Sequence, residues 1–243
     1  MRIEGRTAVI TGGAVRVGSA ITRELARRGA SVFIHYNRSS DAAEALRREI
    51  VNAGGVAAIG SVDLSNPDAA PDLIAAASVT LGAPTILVNS ASGFPIDTLE
   101  DVTADGFRST QDLSLTTPMM LTQAFSDHVP DDADGTVVNV TDVKTMRPYR
   151  KHFSYMLAKG GLDTLTRAAA VALAPRIRVN AVALGVILPP PGEEAEYVDQ
   201  LAAELPLQRA GGAQVVADTV AFLCENDFIT GEIIRLDGGA HLV

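Results

Sequence analysis

Cys224 stands alone among 243 residues, so no disulfide framework can hold this chain together. A single thiol suits a reducing compartment. No Lys/Arg block occurs, and 29 acidic against 20 basic residues leave a formal charge of −9. Nucleic acid and anionic membrane surfaces would on average repel such a molecule. No apolar stretch reaches the ~20 residues that a membrane-spanning helix needs. The first ten residues carry Arg2, Glu4 and Arg6, which does not suit a signal peptide. Repeats, low-complexity tracts and flexible linkers are missing too. What remains, with 47% hydrophobic residues, reads as one soluble globular domain over 1–243. A chain of this length buries roughly 70–75% of its unfolded surface without staples. The expectation is a cytoplasmic protein with a small-molecule substrate and no nucleic-acid, membrane or metal partner.

Short apolar, β-branched runs alternate with longer Ala/Leu/Glu/Arg segments. The runs Thr7–Thr11, Ser31–Tyr36, Val56–Val62, Thr85–Asn89, Thr136–Thr141, Ile177–Val182 and Glu232–Leu236 read as strands. Helices are expected over Ser19–Arg28, Ser40–Ala53, Asp68–Thr80, Ala104–Phe125, Ser154–Ala174 and Ala213–Cys224. Strands that are apolar without alternation are covered on both faces. Seven of them joined by helical crossovers predict an α/β fold, a doubly wound Rossmann-type domain with a seven-stranded parallel sheet and helices on both faces. One irregular stretch, residues 186–212, carries Pro189-Pro190-Pro191-Gly192 and then Glu193, Glu194 and Glu196. A long insertion of this kind is expected to be a lid over a site, or else a plain surface excursion.

The first strand runs into Thr11-Gly12-Gly13-Ala14-Val15-Arg16-Val17-Gly18. Glycines in such a turn let backbone N–H groups approach a pyrophosphate seated on the following helix N-terminus, although tight turns also use glycine for steric reasons. The spacing is not G-x-G-x-x-G. After the second strand an NAD site would place an acid on the ribose 2′-hydroxyl. Here His35-Tyr36-Asn37-Arg38-Ser39-Ser40 has no acid before Asp41. Arg38 offers a planar fork for a 2′-phosphate, with Ser39 and Ser40 as further donors. Ser40 can alternatively cap the next helix. This end of the strand favours NADPH over NADH.

Tyr155-Met156-Leu157-Ala158-Lys159 reads Y-x-x-x-K on a helix, which puts the hydroxyl and the ammonium on one face. A free phenol, with a pKa of about 10, is a poor acid–base catalyst near neutrality. Lys159, together with the positive ring of an oxidised nicotinamide, is expected to bring that value down.

These segments together resemble the short-chain dehydrogenase/reductase family over essentially the whole chain. The turn is a T-G-x-x-x-G-x-G with Arg16 at the middle glycine, and Asn89-Ser90-Ala91-Ser92 resembles N-N-A-G. Arg178-Val179-Asn180, Pro206-Leu207-Gln208-Arg209 and the run from Thr230-Gly231 to Asp237-Gly238-Gly239 fit the family's later motifs. The resemblance implies NADP(H) held by Gly12, Arg16, Val17, Gly18, Tyr36, Arg38, Ser39, Asp63, Leu64, Asn89, Ala91, Ser92, Tyr155, Lys159, Gly185 and Ile187. Asp63 can equally be a turn residue. It also implies a homo-oligomer, a tetramer in most members. Ala168-Ala169-Ala170 and Ala172 would permit close helix contact or else face the sheet.

Three positions depart from the family. The catalytic serine, thirteen residues before the tyrosine, is Asp142; the helix asparagine is Ser114; and the Pro-Gly after strand six is Leu184-Gly185. An ionised carboxylate only accepts hydrogen bonds. Asp142 can therefore orient Tyr155, relay a proton or receive the N–H donors of a nitrogen heterocycle, unless Thr141 or Thr145 takes over the serine's task. Arg16, the stretch Tyr36–Ser39, Ser92-Gly93-Phe94 and Asp142 resemble the pteridine reductases. That likeness implies a flat pterin stacked on Phe94, met by Arg16, Ser92, Asp142 and Tyr155, with hydride passing to a C=N bond. Phe94 can alternatively be ordinary lid core. The rivals are a reductase of 3-oxoacyl carriers or other carbonyls, and a dinucleotide-binding sensor without turnover. The lid acids disfavour an acidic carrier protein.

Overall fold

The computed structural model describes residues 2–190, Gly192 and 195–243. Its strands are β1 (Thr7–Ile10), β2 (Ser31–Tyr36), β3 (Val56–Ser61), β4 (Pro84–Asn89), β5 (Gly135–Asp142), β6 (Ile177–Leu184) and β7 (Ile233–Leu236). All are parallel, in the order β3-β2-β1-β4-β5-β6-β7. The helices are α1 (Arg16–Arg27), α2 (Ser40–Asn52), α3 (Ala70–Leu81), α4 (Ala104–Gln111), α5 (Thr117–His128), α6 (Phe153–Leu173), α7 (Ala195–Ala203) and α8 (Gly212–Glu225). The doubly wound expectation holds.

Two apolar layers explain why the central strands lack alternation. Successive residues of a strand point to opposite faces. Ala8, Ile10, Ile86, Val88, Val138 and Val140 pack with Ile21 and Leu25 of α1, Leu46 of α2 and Val216 of α8. The intervening Val9, Leu87 and Val137 pack with Leu73 of α3 and Leu121 and Phe125 of α5. Each fully buried aliphatic or aromatic side chain contributes roughly 1.5–3 kcal/mol. The strand order reverses between β1 and β4, which opens a crevice beyond their C-terminal ends.

Three local readings change. Ser19 does not open α1: the helix starts at Arg16, and the Ser19 hydroxyl donates back to the Arg16 carbonyl at 2.9 Å. The helix expected over Ala104–Phe125 is α4 and α5 joined by a π turn at Asp112–Thr116. Pro118 lacks an N–H, and its ring crowds the carbonyl four residues back, that of Ser114, so the helix widens just before it. The segment 186–212 contains a helix of its own, α7. Of the acids noted there, Glu193 and Glu194 lie outside the described residues, as does Pro191.

Helix α1 is tied to α8 through a buried carboxylate. Glu24, 4% exposed, accepts from Arg27 and Arg28, and Arg28 reaches Glu225 at 2.6 Å. The Arg27 hydrogen bond first, then that of Arg28, hold the Glu24 carboxyl down to about 2 against the cost of burial. A depressed acid stabilises the fold above its unfolded value near 4.5, and that contribution is lost as pH falls towards 2. Because the guanidinium groups are partly solvated, Glu24→Gln should cost about 1–2 kcal/mol, or about 3–6 °C in Tm at pH 7. Thermal melts should show the gap closing below about pH 4. A gap that stays constant down to pH 3 would mean that the carboxylate charge contributes nothing.

Candidate active site

The crevice beyond β1 and β4 is built by backbone hydrogen bonds to polar side chains. Thr11 Oγ1 accepts from the N–H groups of Ser90 (2.9 Å) and Ala91 (3.0 Å), which fixes the loop after β4 against the turn after β1. The Gly12 N–H donates to His35 Nδ1 at 3.1 Å. His35 Nε2 donates in turn to the Val62 carbonyl at 2.8 Å, so the imidazole is neutral with its proton on Nε2. Burial pushes its pKa down, in keeping with that state. Asn89 donates to Asn139 Oδ1 and Asn139 donates to Thr166 Oγ1, a buried ladder joining β4, β5 and α6.

The glycine turn has the shape that an anion requires. A Cβ at Gly18 would stand 2.1 Å from the Gly12 carbonyl oxygen, so α1 can approach the turn this closely only without one. Helix α1 has no side-chain cap and no acid in its first turn, which leaves its N–H groups for a ligand. Arg16 has φ +52°, a left-handed conformation that glycine adopts without strain, and this explains the family's glycine at that position. Its guanidinium donates to the Pro189 carbonyl at 2.6 Å. The structure therefore places Arg16 against the segment 186–212, whereas the sequence reading faced it to phosphates and a pterin carbonyl.

The remaining expected cofactor residues divide into two groups. Arg38 is exposed and close enough to lower the Asp63 carboxyl. Ser39 precedes α2 without making a cap bond, and Ser40 lies inside that helix, so neither hydroxyl is consumed as a cap. By contrast, Asp63 receives the Ser65 N–H (3.0 Å) and hydroxyl (2.8 Å), the turn role held open for it. Leu64, Val17 and Tyr36 pack into the apolar layers. Gly185 and the buried Ile187 lie where β6 meets β7, with the Gly185 N–H on the Leu236 carbonyl at 3.0 Å. Ser92 Oγ is 3.2 Å from Ser114 Oγ, the π turn having brought Ser114 to it. These residues fit a dinucleotide with a 2′-phosphate: a glycine cradle, an uncapped helix end and an exposed arginine.

Asp142, Tyr155 and Lys159 come together at the end of β5. Tyr155 Oη donates to Asp142 Oδ2 at 3.2 Å. Lys159 Nζ donates to the Val140 carbonyl at 2.7 Å and lies 5.6 Å from the Tyr155 ring centre. Tyr155 and Lys159 are buried, and so is Asp163, one turn further along α6, whose carboxyl burial pushes up. The Thr145 hydroxyl donates to the Asp142 carbonyl and Thr141 is buried, so both hydroxyl alternatives are turned inward.

Lys159 alone does not make the Tyr155 phenol acidic. Burial first, then the charge and hydrogen bond of Asp142, push its pKa well above the ordinary value. Burial also raises Asp142 and lowers Lys159 to about 8. Desolvation of the charged forms outweighs the attraction between them. The phenol is thus neutral and holds its proton.

Phe94 stands over this group. Its ring is perpendicular to that of Tyr155, with centres 4.9 Å apart, and it is stacked on His152 at 3.7 Å. Phe94 remains 40% exposed, so it is not lid core. Among the described residues no cluster of His, Cys, Asp or Glu is arranged to hold a metal, and no helix is long and apolar enough to cross a membrane.

Comparison with known proteins agrees with this geometry. The family model described as enoyl-(acyl carrier protein) reductase matches residues 13–241. The crystal structure of FolM alternative dihydrofolate reductase 1 from Brucella canis, complexed with NADP, superposes with a TM-score of 0.96 at 38% identity, covering 100% of this chain and 96% of that one. Pteridine reductase 1 of Leishmania tarentolae is 32% identical over 97% of this chain and 96% of its own length. A 3-oxoacyl-[acyl-carrier-protein] reductase of Synechocystis is also 32% identical, over 98% of this chain and 97% of its own. The chain belongs to the short-chain dehydrogenase/reductase family.

Proposed function

We propose that this protein is an NADPH-dependent reductase of a pterin-type substrate, and that Asp142, Tyr155 and Lys159 carry the proton chemistry. The observation that carries this reading is the Tyr155–Asp142 hydrogen bond, with the partly exposed Phe94 ring beside it. Identity alone does not choose between pterin and 3-oxoacyl relatives, because both reach 32%. The carboxyl in place of a serine favours the pterin. A pterin presents ring N–H and amino donors, which a carboxylate accepts, whereas a ketone oxygen needs a donor. The solved neighbour described as an alternative dihydrofolate reductase supports the same choice.

The glycine turn, the N-terminus of α1 and Arg38 would hold the cofactor by its pyrophosphate and 2′-phosphate. NADPH, when bound, supplies the hydride that reduces the C=N carbon. Tyr155, neutral in its buried setting, gives the proton to the ring nitrogen, and Asp142 orients it. Lys159 keeps N–H donors beyond its bond to Val140 for the ribose and for reprotonating the phenol. Phe94 lends an aromatic face, which adds about 0.5–1.5 kcal/mol beyond burial. The segment 186–212 acts as a lid that Arg16 ties to the cofactor turn through Pro189. On α6, Ala168 and Ala172 are exposed beside Val171, whereas Ala169 and Ala170 face the core. The exposed stripe is the face offered to a homo-oligomer.

Following NADPH absorbance with dihydrobiopterin or dihydrofolate, and separately with an acetoacetyl thioester, tests the assignment. Turnover of the pterin is expected; turnover of the thioester alone would overturn the assignment. Tyr155→Phe should lower kcat by at least about 100-fold while NADPH binding stays within about twofold. Retained turnover would remove Tyr155 from the reaction. Arg38→Ala should weaken NADPH binding by about 10- to 100-fold and NADH binding little, and equal losses would mean that no 2′-phosphate is recognised.

A further inference from the structure

We infer that His152 is a substrate-positioning residue, holding Phe94 as the platform on which the planar ring of the substrate stacks. The inference rests on the pterin reading above and adds a residue to it. No motif points to His152, which sits between Lys151 and Phe153 just before α6.

Three contacts fix its ring. The imidazole lies 3.7 Å from the Phe94 ring centre with 13° between the planes. Tyr149 meets it edge-on at 5.9 Å and 66°. His152 Nδ1 donates to the carbonyl of Pro95, the residue after Phe94, at 2.7 Å, since a carbonyl can only accept. One side chain thus covers a face of Phe94 and grips the backbone next to it. With these contacts made, Phe94 still keeps 40% exposure.

The backbone of His152 makes the platform continuous with the proton donor. Its φ is +61°, in the left-handed region where histidine is among the more tolerated residues. From there α6 begins, with the Met156 N–H on the His152 carbonyl at 2.9 Å, and Tyr155 follows within the first turn. Helix α6 has no side-chain cap of its own. Asp97 of the Phe94 loop supplies one instead. Its carbonyl accepts from the Phe153 N–H at 3.2 Å, and its carboxylate accepts from the Ser154 N–H at 3.2 Å and from the Ser154 hydroxyl. Phe94, His152 and Tyr155 are therefore joined through one set of contacts. A flat substrate stacked on Phe94 is registered against the Tyr155 proton by His152.

The test is steady-state kinetics of His152→Asn and His152→Phe with NADPH and a dihydropterin, joined to binding of a flat diaminopteridine by the NADP-loaded enzyme. Asparagine tolerates the left-handed backbone but has no ring, whereas phenylalanine keeps a ring. His152→Asn should raise KM and the diaminopteridine Kd by about five- to tenfold, with kcat within about twofold and NADPH affinity unchanged. His152→Phe should recover both to within about threefold. In a Phe94→Ala background His152→Asn should add no further effect, because the residue acts through Phe94. An unchanged KM, a fall in kcat at constant KM, or loss of NADPH binding in His152→Asn would each overturn the inference. A wild-type enzyme that neither reduces nor binds the pteridines would overturn the parent reading and this one with it. A wild type that does both, with an indifferent His152→Asn, would overturn this one alone.

Discussion

Three ionisable groups share one water-poor space at the end of β5: the Asp142 carboxyl, the Tyr155 phenol and the Lys159 ammonium. Burial charges a free-energy cost to each ionised form, so the acid and the phenol move up while the amine moves down to about 8. The ammonium, bonded to the Val140 carbonyl and 5.6 Å from the ring centre, does not reverse this. The result is a protonated phenol hydrogen-bonded to a carboxyl.

That cluster acts only if the strands deliver it to the crevice, and buried polar side chains see to this. Thr11 ties the turn after β1 to the loop after β4, His35 ties the same turn to the end of β3, and the ladder Asn89–Asn139–Thr166 ties β4 and β5 to the helix that bears Tyr155. Each group would cost about 1–3 kcal/mol if buried without a partner. Apart from the Asn89 side-chain oxygen, which has no protein partner, their pairing in one arrangement makes that arrangement specific, where apolar packing alone tolerates small slips.

The sheet was legible because its signal is local. Runs such as TAVI and PTILVN are apolar throughout, and only a strand covered on both faces needs that. The Y-x-x-x-K pair was legible because a helix makes four residues one face. The acidity of Tyr155 was not, since it depends on how much water the folded chain excludes and on a carboxyl thirteen positions away in sequence. The π turn before Pro118 required knowing that the helix continues through the proline. Polar residues inside apolar strands, His35 and Asn139 among them, were a readable signal of internal hydrogen bonding. His152 left no such signal, because its partners Phe94 and Pro95 lie 58 and 57 positions away.

The departures from the family pattern make sense as a group rather than singly. Arg16 accepts left-handed strain at a glycine position, and its guanidinium reaches the Pro189 carbonyl across the crevice mouth. Asp142 replaces a hydroxyl donor with an acceptor and gains the phenol proton as its partner. Ser114 replaces a longer amide, and its hydroxyl meets Ser92, two residues before Phe94. Phe94 in turn is backed by a strained histidine. Random drift would spread such changes over the molecule, where most substitutions cost little. Here Arg16 and His152 carry backbone strain and Asp142 a desolvation cost, and they border one crevice. Costs concentrated in this way are expected where function, not stability, selects the residue. The chemistry they leave, an aromatic ring beside an acid and a phenol, is the feature on which the proposed substrate class rests.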